Sequence, residues 1–321
     1  MKIGIGIGEL GGTPADVDGL IAQAKSAEDD GFASVWLANI FSFDAITMSA
    51  LCARETSRIE VGTAVVPTFP RHPIAMAQQA MTAQAMARGR FTLGIGLSHQ
   101  IVIETMLGLS FAKPYSHMKE YLEVLVPLLR TGSVMHQGGE YRVAASLKVP
   151  GGEHCQILVA ALAPKMLALT GTVADGTITW MTGPKTIREH TVPRIAEAAA
   201  AAGRPAPRVV VGLPVAVTRD PDAARRAAAQ QFVVYGTLPS YRAMFDREGV
   251  EGPAGIVIAG DEATVGAELA GLAAAGATDF LWAPCPVEGD ADAIPRTRAF
   301  LTKLARDRDR VTAPLSRAPA W

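Results

Sequence analysis

Gly94-Ile95-Gly96-Leu97-Ser98-His99 closes an apolar run with two glycines, a hydroxyl and an imidazole. Glycines at a strand end either let a ligand approach the backbone or relieve crowding between strands, and the sequence leaves both readings open. His99 is the histidine directly beyond such a run, where a side chain can give or take a proton near neutral pH. Its bland alternative is a hydrogen-bonded loop histidine. Ala160-Ala161-Leu162-Ala163-Pro164-Lys165 offers a second kind of chemistry. A strand running straight into a helix leaves free N–H groups that attract anions, and small side chains let a phosphate come near. Lys165 either adds its charge there or is simply solvated. Gly6-Ile7-Gly8-Glu9-Leu10-Gly11 matches the dinucleotide-binding GxGxxG pattern. However, Gly12, Thr13 and Pro14 push the helix beyond the motif, and the next strand ends in Asn39 rather than an acid. No HExxH, GxSxG or GxxxxGK(S/T) occurs, and no carboxylate pair stands at glycosidase spacing. Cys285 has no evident activating partner. His72, before Pro73, reads as the start of a helix, while His117, His136, His154 and His190 read as surface groups.

Something must hold these groups together. Short β-rich runs alternate with amphipathic segments along the chain. Strands are expected at 2–8, 33–38, 59–66, 91–96, 156–160, 177–181, 208–218 and 278–283. Helices are expected at 14–30, 44–57, 73–88, 114–130, 164–174, 184–202, 261–275 and 295–306, with helical material over 221–247. Residues 132–152 read as a β excursion turning at Gly138-Gly139. Thr13-Pro14 suits the start of the first helix and Gly31 its end. Eight strands, nearly all followed by helices, imply a parallel (β/α)8 TIM barrel with insertions after strands four and seven, in a single domain over 1–321. A doubly wound sheet is the runner-up. The tail from Asp307 is polar and is expected to fray or to pack at an interface.

In a barrel the site lies at the C-terminal ends of the strands. That picks out Glu9; Asn39, Ile40 and Phe41; Pro67, Thr68 and Phe69; Leu97, Ser98, His99 and Gln100; Ala161, Leu162, Ala163 and Pro164; Trp180, Met181 and Thr182; Thr218; and Pro284 and Cys285. Phe41 and Trp180 either wall the cleft or belong to the core. The set is mostly small, apolar and aromatic, which suits a flat cofactor that brings its own reactivity better than it suits hydrolysis.

Composition narrows the classes. Of 321 residues, 49% are hydrophobic and 19% charged, with a net charge of −1. This excludes a disordered chain and gives no basic excess for nucleic acid or an anionic membrane. No apolar run reaches the ~20 residues of a membrane span, and the glycine-broken opening is a poor signal-peptide core. Three scattered cysteines argue against a disulfide scaffold or a zinc site, so a reducing cytoplasm is expected.

Gly31-Phe32-Ala33-Ser34-Val35-Trp36-Leu37-Ala38 resembles the second-strand signature of the bacterial luciferase-like superfamily. Residues 58–67 with Arg71-His72-Pro73 resemble its third strand and following helix, and Arg88-Gly89-Arg90-Phe91-Thr92-Leu93-Gly94-Ile95-Gly96 its fourth strand. Val173-Ala174-Asp175-Gly176 is also similar. The loops 96–99, 180–184 and 238–244 resemble an actinobacterial group that uses the deazaflavin coenzyme F420. The resemblance implies a non-prolyl cis peptide at Ala64-Val65 behind the cofactor ring. It implies Ala64, Val65, Pro67 and Thr68 near the ring, Leu97 and Ser98 near its edge, and Ala161, Leu162 and Ala163 at the phosphate-bearing tail. Many relatives have Asp-His where this chain has Asn39-Ile40. The sugar-phosphate dehydrogenases carry a glutamate at the place of His99. Both departures speak against that alcohol-oxidising chemistry. The expected activity is hydride transfer between F420 and a small, largely apolar substrate, with His99 as proton donor, Asn39 as a polar contact, and Glu9, Phe41 and Trp180 lining the pocket. The alternatives are an FMN-dependent monooxygenase and a non-catalytic flavin or deazaflavin carrier. The resemblance also implies a homodimer through the second and third helices.

Overall fold

The structure, a computed structural model, describes residues 1–11 and 15–312. Eight parallel staves close on themselves: Lys2–Ile7, Ser34–Leu37, Glu60–Thr63 continued by Val66–Pro67, Phe91–Gly96, Gln156–Val159, Gly176–Trp180, Arg208–Val217 and Asp279–Pro284. The first stave pairs with the second and the eighth, and the seventh pairs with the sixth and the eighth, so no edge is left. Runs such as Phe91–Gly96 are buried at every position, as expected for strands covered on both faces. The chain is therefore a TIM barrel and not an open doubly wound sheet, and the GxGxxG match carries no dinucleotide fold.

The helices start where local chemistry directs. The carboxylates of Asp16, Asp44, Asp220 and Asp261 accept N–H groups of the first turns of the helices beginning at Val17, Ala45, Pro221 and Glu262. The first helix, Val17–Asp30, is thus capped by Asp16, and the expected Thr13-Pro14 start lies outside the described residues. Gly31, at φ 90°, closes that helix in the left-handed region. Ser133–Gln137 and Arg142–Ser146 form the expected antiparallel excursion. One strand was not foreseen: Ile258–Gly260 adds to the outside of the seventh stave. The last helix, Ala293–Thr312, runs past Asp307, and residues 313–321 lie outside the description.

The barrel interior changes character from bottom to top. At the bottom, Arg208 donates to Glu60 at 2.8 Å, to Asp279 at 2.7 Å and to Gln156 at 2.9 Å. Thr92 donates to the same Glu60 carboxylate at 2.7 Å. Burial opposes the Arg208 charge, but Glu60 and Asp279 more than offset it and keep the guanidinium firmly protonated. Above this plug, Trp36, Leu158, Ile178, Val210 and Leu281 fill the middle, and Leu10, Ala64 and Val65 pack on them from the mouth side. The second and third helices turn mainly Thr47, Arg54, Glu55, Gln78, Gln79 and Thr82 outward, so their exposed faces are polar.

Candidate active site

The third stave is interrupted, and the Ala64-Val65 peptide is cis, as the resemblance implies. After the break, Val66 pairs with Ile95 and Pro67 with Gly96, and the Thr68 N–H donates to the Gly96 carbonyl at 2.9 Å. This brings Val65, Pro67 and Thr68 against the end of the fourth stave. The two glycines there serve packing. A Cβ at Gly94 would lie 1.9 Å from the Thr63 carbonyl oxygen, and one at Gly96 would lie 2.8 Å from a Val65 methyl. Of the two readings of these glycines, relief of crowding is the one the geometry favours.

Two non-glycine residues adopt left-handed backbone directly beyond stave ends: Ser98 at φ 62° after the fourth and Met181 at φ 53° after the sixth. Such conformations cluster where surrounding structure enforces a functional shape. Between them stands an aromatic wall. The His99 ring lies 5.8 Å from Tyr241 and 6.3 Å from Tyr235, which meet each other edge-on at 4.8 Å. Trp180 packs edge-on against Phe232 at 5.5 Å and Tyr235 at 6.2 Å. Burial lowers the His99 pKa from its ordinary value, so the imidazole is neutral at pH 7. The two tyrosines come from the long segment between the seventh and eighth staves, and the sequence reading did not assign them to the site. Only tertiary packing brings them to His99.

Beyond the third stave, Thr68 is fully buried and its hydroxyl meets His117 Nε2 at 2.9 Å. The His117 ring stacks on Phe69 at 3.8 Å, and its Nδ1 faces the Tyr141 hydroxyl at 3.4 Å. The expectation that His117 is a surface group is therefore wrong: it is 5% exposed. Its helix, Pro114–Thr131, repeats His117, Tyr121 and Leu125 at four-residue spacing, and all three are buried. That periodicity was the signal available in the sequence. Glu120 holds the neighbouring excursion in place. Its carboxylate accepts from the N–H of Tyr141 at 2.9 Å, of Glu140 at 2.8 Å and of Gly139 at 3.1 Å. These bonds, that of Tyr141 foremost, hold its pKa at about 2.

Burial pushes the His117 pKa down to about 4. The unfolded chain, with an ordinary pKa near 6.5, then binds a proton before the folded one does. Stability from this group is complete above pH 6.5 and is lost as pH falls to about 4. The loss is about 3 kcal/mol at most. Urea midpoints at pH 7, 5.5 and 4 should show this acid limb in the native chain and a shallower one in His117→Gln. Parallel profiles would count against it.

His190 is the second histidine wrongly expected at the surface. It is 1% exposed and donates from Nε2 to the Leu162 carbonyl at 2.7 Å. The loop 160–163 ends at Ala163, which precedes the helix Pro164–Val173 without any side-chain cap, while Lys165 is exposed. Asn39 is half-buried; its Oδ1 accepts from the Ala45 N–H at 3.1 Å and from Arg71 at 3.4 Å. Arg71 also pairs with Asp44. Glu9 is exposed and accepts from the Phe41 N–H at 3.4 Å. Phe41 is 65% exposed and so is rim, not core. Ile40, Phe43, Ile101, Met106, Leu107, Leu109, Val233 and Val234 are exposed as well, and all lie in segments that follow the second, fourth and seventh staves. Cys285 is buried, and burial raises its pKa to about 11, so it stays a thiol. Among the described residues no cluster of His, Cys, Asp and Glu could hold a metal ion, and no helix is long and apolar enough to cross a membrane.

A Mycobacterium tuberculosis protein named as a coenzyme F420-dependent oxidoreductase is 30% identical over 190 residues, 55% of this chain and 54% of that protein. The match thus spans about half the length of that relative. The 5,10-methylenetetrahydromethanopterin reductase of Methanolobus tindarius is 29% identical over 230 residues, 71% of this chain and 70% of the relative. Among solved structures, the F420-dependent tetrahydromethanopterin reductase of Methanopyrus kandleri superposes with a TM-score of 0.77 at 22% identity, covering 94% of this chain and 97% of the other. The oxygenating constituent of 3,6-diketocamphane monooxygenase from Pseudomonas putida, in complex with FMN, superposes at 0.74 with 17% identity, covering 94% and 97%. The family model described as luciferase-like monooxygenase matches residues 2–279, and this chain belongs to that family.

Proposed function

We propose that the protein is an oxidoreductase that moves a hydride between the deazaflavin coenzyme F420 and a small, largely apolar substrate. The observation that carries this reading is the barrel mouth itself: the half-buried imidazole of His99 against Tyr235 and Tyr241, with Trp180 and Phe232 packed beside them. The residues present fit a planar cofactor with an anionic tail. Val65 and Pro67, both half-buried, with Ala64 beside them would offer an apolar seat, backed by Thr68, whose hydroxyl is held by His117, and Leu97 and Ser98 would offer its edge. Ala161, Leu162 and Ala163 would offer N–H groups without a side-chain cap, and the two alanines would leave room for a phosphate.

When bound, the deazaflavin supplies the carbon that accepts or gives up the hydride. The chain supplies orientation and a dry cleft, the help that hydride transfer needs most. His99 takes the substrate's proton when the substrate is oxidised and returns it in the reverse direction; its neutral state at pH 7 favours the base role. Asn39 has already committed its oxygen to Ala45 and Arg71, so its amide N–H2 is the group left for a ligand. Trp180, Phe41 and Glu9 would line the substrate side, and the exposed apolar rim supports a substrate with little charge. Relatives named for F420 support the deazaflavin over FMN. An FMN-dependent monooxygenase remains the second reading because the same fold holds FMN in the diketocamphane enzyme.

Titration of the purified protein with F420 and with FMN, followed by cofactor fluorescence, separates the two. The expected result is saturable F420 binding at least about tenfold tighter than FMN, a difference of about 1.4 kcal/mol. Tighter FMN binding would overturn the choice of cofactor. Saturable binding without turnover over a broad substrate screen would favour a carrier.

A further inference from the structure

We infer that His190 is a positioning residue for the cofactor's phosphate, acting through the Leu162-Ala163 peptide. The inference rests on the functional reading above.

His190 sits in a π turn, Ile187–Thr191, that interrupts what would otherwise be one continuous helix from Pro184 to Ala201. The wider turn changes the direction of side chains in that stretch, and such turns recur at functional sites. Here it accompanies a histidine directed at the strand-to-helix loop, where Nε2–H donates to the Leu162 carbonyl at 2.7 Å. A trans peptide is planar, with its C=O and N–H pointing in opposite directions. Holding the Leu162 carbonyl toward His190 therefore turns the Ala163 N–H away from it. Among the described residues no protein group accepts from the N–H of Leu162 or Ala163. The other end of the loop is fixed independently, by the Ala160 N–H donating to the Ile95 carbonyl at 2.8 Å. His190 is thus the side chain that fixes the orientation of the donors nearest the helix start.

The rest of the ring is consistent with a one-sided role. Nδ1 is buried and has no partner, so the one hydrogen bond of the ring is the one to the loop. Burial, with Arg247 and Arg194 nearby, lowers its pKa and so favours the neutral ring, and the bond to the carbonyl places the proton of that ring on Nε2.

The test compares phosphorylated and phosphate-free forms of the same ring: FMN against riboflavin, and F420 against its phosphate-free deazaflavin. Each is titrated into the native chain, His190→Ala and His190→Gln, with melting temperature recorded alongside. The native chain should prefer the phosphorylated forms. His190→Ala should lose about tenfold in affinity for them and stay within about twofold for the phosphate-free forms. Glutamine can donate from its amide to the same carbonyl, so His190→Gln should recover most of the loss. Equal weakening of both forms, or an undiminished phosphate preference in His190→Ala, would sink the inference while leaving the functional reading intact. Failure of the native chain to bind any of the four would sink both.

Discussion

Replacing His99 with alanine is expected to cut turnover by about a hundredfold while leaving F420 affinity within about twofold. The size follows from general acid–base catalysis, where a positioned proton-transfer group contributes about 10²–10⁴-fold. Tyr235 and Tyr241 lie against the His99 ring, with Trp180 and Phe232 packed beyond them, and burial lowers the His99 pKa. In the direction that oxidises substrate, the base must be neutral. The acid limb of the rate should therefore have its midpoint at a pH below the ordinary histidine value. The variant should lose that limb along with the rate. Steady-state kinetics across pH, paired with cofactor titration, reads both. A joint loss of turnover and affinity would make His99 a structural residue instead.

The second large effect concerns the bottom of the barrel. Arg208→Ala should lower unfolding free energy by about 3–5 kcal/mol, because it leaves carboxylates in the interior with no cation. The Arg208 side chain is 16% exposed, with Glu60 at 19% and Asp279 at 4%. Water reaches the first two only slightly, and Asp279 is sealed in. Removing all three charges together, by Arg208→Met with Glu60→Gln and Asp279→Asn, should cost far less than the single change. Denaturant unfolding of the two variants decides the matter; equal losses would mean the plug acts by volume and not by charge.

The sequence revealed the staves well, for a physical reason. Strands covered on both faces read as continuous apolar runs, and Gly31, Gly89, Pro73 and Pro164 mark where they give way to helices or where helices end. Runs such as Phe91–Gly96 are therefore visible without coordinates. What stayed hidden lacks a side-chain signature. The break after Thr63 interrupts a run whose apolar pattern is unbroken, and Ile258–Gly260 is too short to show a period. The site was partly legible. Position beyond a stave end singled out His99, Thr68 and the 160–163 loop as candidates, but it gave no account of the side chains that approach from the flank. His117 and His190 were read as surface groups because histidine is polar, although the spacing of His117 with Tyr121 argued otherwise. Tyr235 and Tyr241 reach the mouth from more than a hundred residues away in sequence, and no local rule connects them to His99.

The barrel keeps its ionic network at the bottom and the proposed cofactor seat at the mouth, with Trp36 and its apolar neighbours between them. Substitutions at sites that share no partner tend to act independently. Under the proposed function, selectivity can accordingly be diversified at Phe41, Leu97 and Trp180 by combinatorial libraries without disturbing the charge balance among Arg208, Glu60 and Asp279.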